Sequence, residues 1–236
     1  MPGGSVPPPH AILEVMRILL ATTNPGKIIE LERILSSQSI EVIGLGGLTA
    51  PEDIETGSTF AENALLKARY FHNRSGLPTV ADDSGLEVEA LGGRPGIYSA
   101  RYGGPNATDA ERTAKLLEEM KNVSAEQRAA RFVCAAAIVW DEGEQVFEDE
   151  ARGVILTEPR GQGGFGYDPV FYYPPLGRTF AEITMEEKAR VSHRGRAFRR
   201  LARWLDQSGL LDTLGEGDRI IFPTGETSAS SGRGDL

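Results

Sequence analysis

The chain has 236 residues, 40% of them hydrophobic, and a formal net charge of -9. That length supports one large domain or two lobes around a proper core. The acidic balance excludes long nucleic acid as a natural partner, because a phosphate backbone needs a basic surface, but leaves room for a small phosphorylated ligand in a local basic pocket. The one cysteine, Cys134, cannot form an internal disulfide and sits in the apolar run FVCAAAIVW, a strand-like core position. No apolar run reaches membrane-span length and the N-terminus lacks a secretion-signal pattern, so a cytoplasmic protein without a membrane partner is expected.

Residues 1–15, rich in Pro and Gly, read as a disordered extension, and the Ser/Gly/Thr composition after about 222 reads the same way within a C-terminal tail of 211–236. Between them strands and helices alternate. RILLAT (17–22) reads as a buried strand. GKIIELERIL (26–35) is a helix with Ile28, Leu31 and Leu35 on one face, opened by Asn24 as cap and Pro25 in its first turn. A second helix spans 58–71, with a capping box from Thr59 and Glu62 and a stripe of Phe60, Ala64, Ala68 and Phe71. Strands at 77–82 and 86–91 flank Asp82-Asp83-Ser84-Gly85, whose residue types favour a turn. A third helix, 109–121, opens on a capping box of Thr108 and Glu111. ARFVCAAAIVW and QVFEDEARGVIL read as a hairpin about DEGE, and a last helix, 194–207, lines up Ala197, Phe198, Leu201 and Leu205. The hairpin interrupts the strand–helix alternation, so the expectation is an α/β chain with a mixed sheet.

Four segments carry chemistry. ATTNPGK (21–27) runs from a strand end into a helix start, where free backbone N–H groups and the helix dipole favour an anion. It is not a Walker A loop, lacking the leading Gly and the Ser or Thr after Lys27. As structure alone, Asn24 is a cap and Lys27 a surface charge. On the second helix Asn63 and Lys67 lie four apart on one face, and Glu55 precedes it at a turn. Each is ordinary by itself and gains weight only by meeting the Asp82–Asp83 pair, whose adjacent like charges resist burial unless a cation is near. GQGGFGYDPVF (161–171) contains a formal G-x-G-x-x-G, but it leads into the strand-like VFYYPP rather than opening a helix, so the dinucleotide reading fails. Its glycines and the flat face of Phe165 or Tyr167 suit base stacking, and Asp168 suits either a loop cap or a ligand contact; a glycine-rich hairpin tip is the plain alternative. Finally, Lys188, His193 and Arg194 cluster beside Ser192, a cap candidate, as donors for carbonyl or phosphate oxygens.

TTNPGK (22–27), ETGSTFAENALLKA (55–68), ADDSGLEVEALGGRPGIYSARYGG (81–104), GGFGYDPVF (163–171) and EEKARVSHRG (186–195) together resemble, in order, the Ham1-type inosine triphosphate pyrophosphatases. The resemblance spans about 17–207. It implies one catalytic domain, 16–210, of two α/β lobes sharing a long mixed sheet, with the substrate in the cleft between the lobes. It implies hydrolysis of non-canonical purine nucleoside triphosphates to the monophosphate and pyrophosphate by a Mg²⁺-dependent homodimer. In this sequence the triphosphate falls to Thr22, Thr23, Asn24, Pro25, Gly26 and Lys27 with Lys67. Glu55 and Asp83 are the implied metal ligands, Asp83 is also the base, and Asp82 and Asn63 are supports. Ser84 is an implied substrate contact, Phe165, Gly166, Tyr167 and Asp168 form part of the base and sugar pocket, and Lys188, His193 and Arg194 read the 6-oxo edge. A nucleotide-sensing module that cleaves nothing, and a related pyrophosphatase for pyrimidine or modified nucleotides, are the rival readings. The acidic trio Glu55, Asp82 and Asp83 disfavours the first and the SHRG segment the second.

Overall fold

The computed structural model describes residues 14–35, 40–51, 53–210 and 219–221. Strand β1 (Glu14–Leu20) leads into helix α1 (Pro25–Leu35), then β2 (Ile40–Ile43) and helix α2 (Phe60–Ser75). Next come β3 (Thr79–Val88), α3 (Asp109–Glu119) and the long hairpin β4 (Ala129–Trp140) and β5 (Gly143–Ile155). Short strands β6 (Phe171–Tyr173) and β7 (Arg178–Thr179) precede α4 (Met185–Val191), α5 (His193–Gln207) and β8 (Arg219–Ile221). They form one mixed eight-stranded sheet in the order β2-β1-β3-β4-β5-β6-β7, with β8 paired to β1. The expected α/β class with a mixed sheet is what the chain adopts. β1 starts at Glu14, earlier than expected, because its first three residues pair with β8. The other parts of the expected tails lie outside the described residues.

The main correction concerns β3. The sequence predicts two strands broken at Asp82–Gly85; the structure has one strand of ten residues running through all four. Every one of its residues pairs with β4, Asp82 opposite Ala136 and Asp83 opposite Ala135. Local turn preference loses to ten rungs of ladder, and side chains bonded across the sheet remove the need for a solvated turn. Two further boundaries move. α2 starts at Phe60 with Thr59 as cap, but the Glu62 carboxylate accepts from Ser58 N and Oγ rather than from Thr59 N, so the capping box is only half made. α4, a helix not among those expected, opens on a full capping box of Thr184 and Glu187 and carries Lys188. The box of Thr108 and Glu111 on α3 forms as expected.

Alternation along the strands sorts the core into two faces. Val80, Cys134, Ala136 and Ile138 pack with Phe198, Leu201 and Leu205 of α5. Ala81, Ala135, Ala137 and Val139 pack with Phe60, Ala64, Ala68 and Phe71 of α2. A separate cluster, built on Leu86, Phe132, Phe171, Phe180 and Leu116, fills the lobe at the far end of β3–β5. Between the two lobes β1 stops at Leu20 while β3 continues; the β1–β3 register holds only Leu19 with Thr79 and Leu20 with Val80. Beyond Ala81 the β1-facing edge of β3 is therefore open, and side chains from both faces can reach one cleft.

The second lobe is tied together by Arg128, buried though charged. Its guanidinium donates to the carbonyls of Ile155 (2.6 Å), Met120 (2.9 Å), Leu156 (2.9 Å) and Val123 (3.3 Å), joining the end of α3 to the end of β5. Arg128→Met strands buried acceptors, each worth about 1–3 kcal/mol when unpaired. Urea unfolding of this variant is expected to show a loss of at least about 2 kcal/mol.

Candidate active site

A cavity of about 280 Å³ opens along the free edge of β3 and is walled by both lobes. From the first lobe come Asn24, Lys27, Glu55, Asp83 and Ser84; from the second come Phe165, Gly166, Tyr167 and Asp168; Lys188, His193 and Arg194 line it from α4 and the start of α5. Of the residues picked out by sequence, these line the wall itself. Asp82, Asn63 and Lys67 stand behind it, bonded to residues that do. Thr22 is half-buried, Thr23 exposed, and Pro25 and Gly26 lie in the first turn of α1.

The two aspartates point to opposite faces of β3, as period-two geometry requires. Asp82, buried, meets Lys27 Nζ at 2.9 Å and Arg194 Nε at 3.3 Å. Burial alone would raise its proton affinity, but Lys27 and Arg194 overcome that and hold the carboxyl well below the ordinary carboxylate range. Asp83 accepts from Asn63 Nδ2 at 3.0 Å and from Ser84 N at 2.9 Å, with Lys67 Nζ at 3.9 Å. Here burial wins, with the Glu55 charge adding to it, and the Asp83 carboxyl titrates above its usual range. Lys67 lies closer to Glu55, at 2.7 Å. Desolvation would strip its proton, but Asp83, Asp82 and Glu55 together hold it charged. For Glu55, burial is outweighed by Lys67 and its carboxyl titrates low. One face thus holds a locked ion pair and the other a carboxylate with raised proton affinity beside a second carboxylate.

Asn24 performs its expected local role, accepting from Lys27 N at 3.2 Å as the cap of α1. That cap and the Asp82 pair fix Lys27 in the cleft. In the glycine-rich 161–171 loop, Asp168 accepts from Phe165 N at 2.8 Å and pairs with Lys188 Nζ, both side chains being buried. Asp168 is thus a loop cap, and Lys188 lies 4.3 Å from the Phe165 ring centroid. Gly164 has φ 72°, and a Cβ there would run into the Asp168 carboxylate. Ser192 caps α5 by accepting from Gly195 N at 3.0 Å. Arg194 is braced, its Nη2 donating to Ser84 Oγ at 2.6 Å besides the Asp82 pair. His193 stacks on Phe132 with centroids 4.8 Å apart. Burial, with Arg194 and Lys188 beside it, keeps the imidazole neutral well below its ordinary range, and its buried Nδ1 has no partner among the described residues.

The wall also holds residues that sequence reading missed: Ile97 and Ser99 on a 3₁₀ turn over Gly96–Arg101, and Asp109 and Arg112 on α3. Asp109 Oδ2 accepts from Gly166 N at 2.6 Å and so anchors the glycine-rich loop. Asp109 reads in sequence as an acid in a capped first turn; nothing local points to a loop 57 residues on.

Fold and site define an α/β protein whose two lobes enclose a cleft lined by a capped helix start, the carboxylates Glu55 and Asp83 and an aromatic glycine-rich loop. The Ham1 family model matches residues 18–204, and the chain belongs to that family. It is 52% identical over 191 residues to the dITP/XTP pyrophosphatase of Thermus thermophilus, covering 80% of this chain and 92% of that one. It is 50% identical over 188 residues to the dITP/XTP pyrophosphatase of Yersinia pseudotuberculosis, covering 78% and 95%. Among solved structures, a Ham1 protein of Coxiella burnetii superposes with a TM-score of 0.76 at 42% identity, over 82% of this chain and all of that one. Among the described residues no helix is long and apolar enough to cross a membrane.

Asp82 is ionised only because Lys27 and Arg194 stabilise its charge. A depressed carboxyl contributes stability above its unfolded value, near 3.8, and loses it as pH falls. Asp82→Asn leaves Arg194 buried without its counter-charge, and breaking a buried pair in this way is worth about 3–5 kcal/mol. The stability gap to wild type is therefore expected in full at pH 7 and to shrink as pH drops below about 4; denaturation series across that range measure it.

Proposed function

We propose that this chain hydrolyses non-canonical purine nucleoside triphosphates — ITP, dITP and XTP — to the monophosphate and pyrophosphate. One observation carries the reading: a single cavity joins Asn24 and Lys27, the carboxylates Glu55 and Asp83, and the Phe165–Asp168 loop with Lys188 and His193. The names of the relatives support it. It extends to a homodimer acting on free nucleotides in the cytoplasm, with neither nucleic acid nor membrane as partner.

The donor set fits Mg²⁺, which takes one or two carboxylates and completes its shell with phosphate oxygens and water. Glu55 and Asp83 both flank Lys67, and two carboxylates converging on one cation already tolerate positive charge between them. Glu55 and Asp83 would hold the ion, which when bound neutralises phosphate charge and acidifies water. The chain's own residues do the rest. The start of α1 and Lys27 receive the phosphates, with Lys67 adding a second ammonium. Asn63 and Ser84 N fix the Asp83 carboxylate at the cavity wall, where it can accept the proton of the attacking water. Attack at the α-phosphorus then expels pyrophosphate. Phe165 offers the base a face, and Lys188 and His193 offer polar groups to its 6-oxo edge. Arg194 acts through Asp82 and Ser84 as well as at the wall, so its loss would harm every substrate alike.

Incubation with ITP and Mg²⁺ followed by ion chromatography is expected to yield pyrophosphate; orthophosphate alone would refute the reading. Asp83→Asn is expected to lower turnover by at least about 10²-fold. Because burial and Glu55 make the Asp83 charge unfavourable, its melting temperature should match or exceed that of wild type, whereas Asp82→Asn should lose stability and less turnover.

Selectivity tests the base end. Adenine presents an amino group at position 6 where hypoxanthine and xanthine present a carbonyl. A site that hydrogen-bonds one group can reject the mismatched one by roughly 10⁴-fold. ITP and XTP are expected to be cleaved well and ATP very poorly. His193→Ala should shrink the kcat/KM ratio of ITP to ATP; an unchanged ratio would move the 6-position contact elsewhere.

A further inference from the structure

We infer that Arg112 reads position 2 of the purine, selecting a 2-oxo base and disfavouring a 2-amino one; the inference rests on the nucleotide reading above. A base whose 6-edge meets Lys188 and His193 turns N1, position 2 and N3 toward the remaining wall. Three polar side chains line that cavity beyond those already given a role: Ser99, Asp109 and Arg112. Two of them are committed. Ser99 Oγ donates to Gly96 O at 2.6 Å and accepts from Leu86 N at 2.8 Å. Asp109 gives one oxygen to Gly166 N and the other to Arg112 Nη1. Tyr167 is committed too, its hydroxyl donating to Ser99 O at 2.9 Å.

Arg112 keeps donors to spare. Asp109 is the one partner of its guanidinium among the described residues, and its buried Nε has none. The side chain is 20% exposed, at the cavity wall. Through Asp109 it is joined to the backbone of Gly166, next to Phe165, and Thr113 Oγ1 on the same helix lies 3.4 Å from Gly166 O. The guanidinium is thus tied through Asp109 to the Phe165–Gly166 loop at the cavity wall.

Guanidinium carries only donors. Xanthine has an acceptor oxygen at position 2, hypoxanthine a hydrogen and guanine an amino group. Arg112 therefore gains a charge-assisted hydrogen bond with xanthine, none with hypoxanthine, and a donor-against-donor clash with guanine. Such a bond corresponds to about 10- to 100-fold.

The test compares kcat/KM for XTP, ITP and GTP in wild type, Arg112→Ala and Arg112→Lys, with thermal melts to verify folding. Arg112→Ala is expected to lower the XTP-to-ITP ratio about 10- to 100-fold and to raise GTP relative to ITP, with Arg112→Lys restoring part of the XTP preference. Equal losses on XTP and ITP would make Arg112 a ribose, phosphate or structural residue and overturn the proposal. Binding of the products XMP and IMP by calorimetry, free of turnover, should show the same selective loss. If wild type cleaves neither triphosphate, the hydrolytic reading falls while the XMP-to-IMP comparison still decides the role of Arg112; binding of neither monophosphate overturns both.

Discussion

Two neighbouring carboxylates inside a sheet are the constraint around which this protein is arranged. Asp82 and Asp83 can both be buried because β3 runs unbroken through them and sends one to each face. On one face Lys27 from α1 and Arg194 from α5 neutralise Asp82. On the other Asn63 and Lys67 from α2 meet Asp83. Three helices, α1, α2 and α5, thus deliver a cation or amide to the same two residues. The small side chains opposite them, Ala135 and Ala136, bring no bulk of their own to that part of the sheet.

The faces divide the labour. A carboxylate held ionised by two cations, as Asp82 is, makes a poor base but a firm brace, since it locks both helices to β3. A carboxylate whose proton affinity is raised by burial and a neighbouring acid, as Asp83 is, makes the less comfortable structural group. Adjacent positions in one strand thereby acquire opposite roles. The early end of β1 lets both work on one cleft, because beyond Ala81 no neighbouring strand walls off that edge of β3.

Much of this was legible in sequence because it is local or periodic. The helical stripes of α2 and α5, the caps at Thr59, Thr108 and Ser192, and the strand–helix turn at Asn24 follow from spacing. The motifs brought together in the cleft were found as separate segments and joined by their resemblance to one family. What sequence could not supply was long-range pairing. Asp-Asp-Ser-Gly reads as a turn until ten rungs with β4 make it a strand. Arg194 reads as a free donor until Asp82 and Ser84 claim it. Asp109 carries no local mark, since its partner Gly166 lies more than fifty residues away, and Arg112 reaches that loop only through Asp109.

Those long-range ties separate chemistry from recognition. The charge-handling residues Lys27, Glu55, Lys67, Asp82 and Asp83 sit on the first lobe, braced against each other. The glycine-rich loop sits on the second, fixed by Asp168 beneath it and Asp109 beside it. Both anchors are carboxylates of the cavity wall that accept backbone N–H groups, Asp168 from Phe165 and Asp109 from Gly166. Phe165 and Arg112 make none of the contacts that hold Asp83, whereas Asp82 and Arg194 are tied to each other, to Lys27 and to Ser84 on β3.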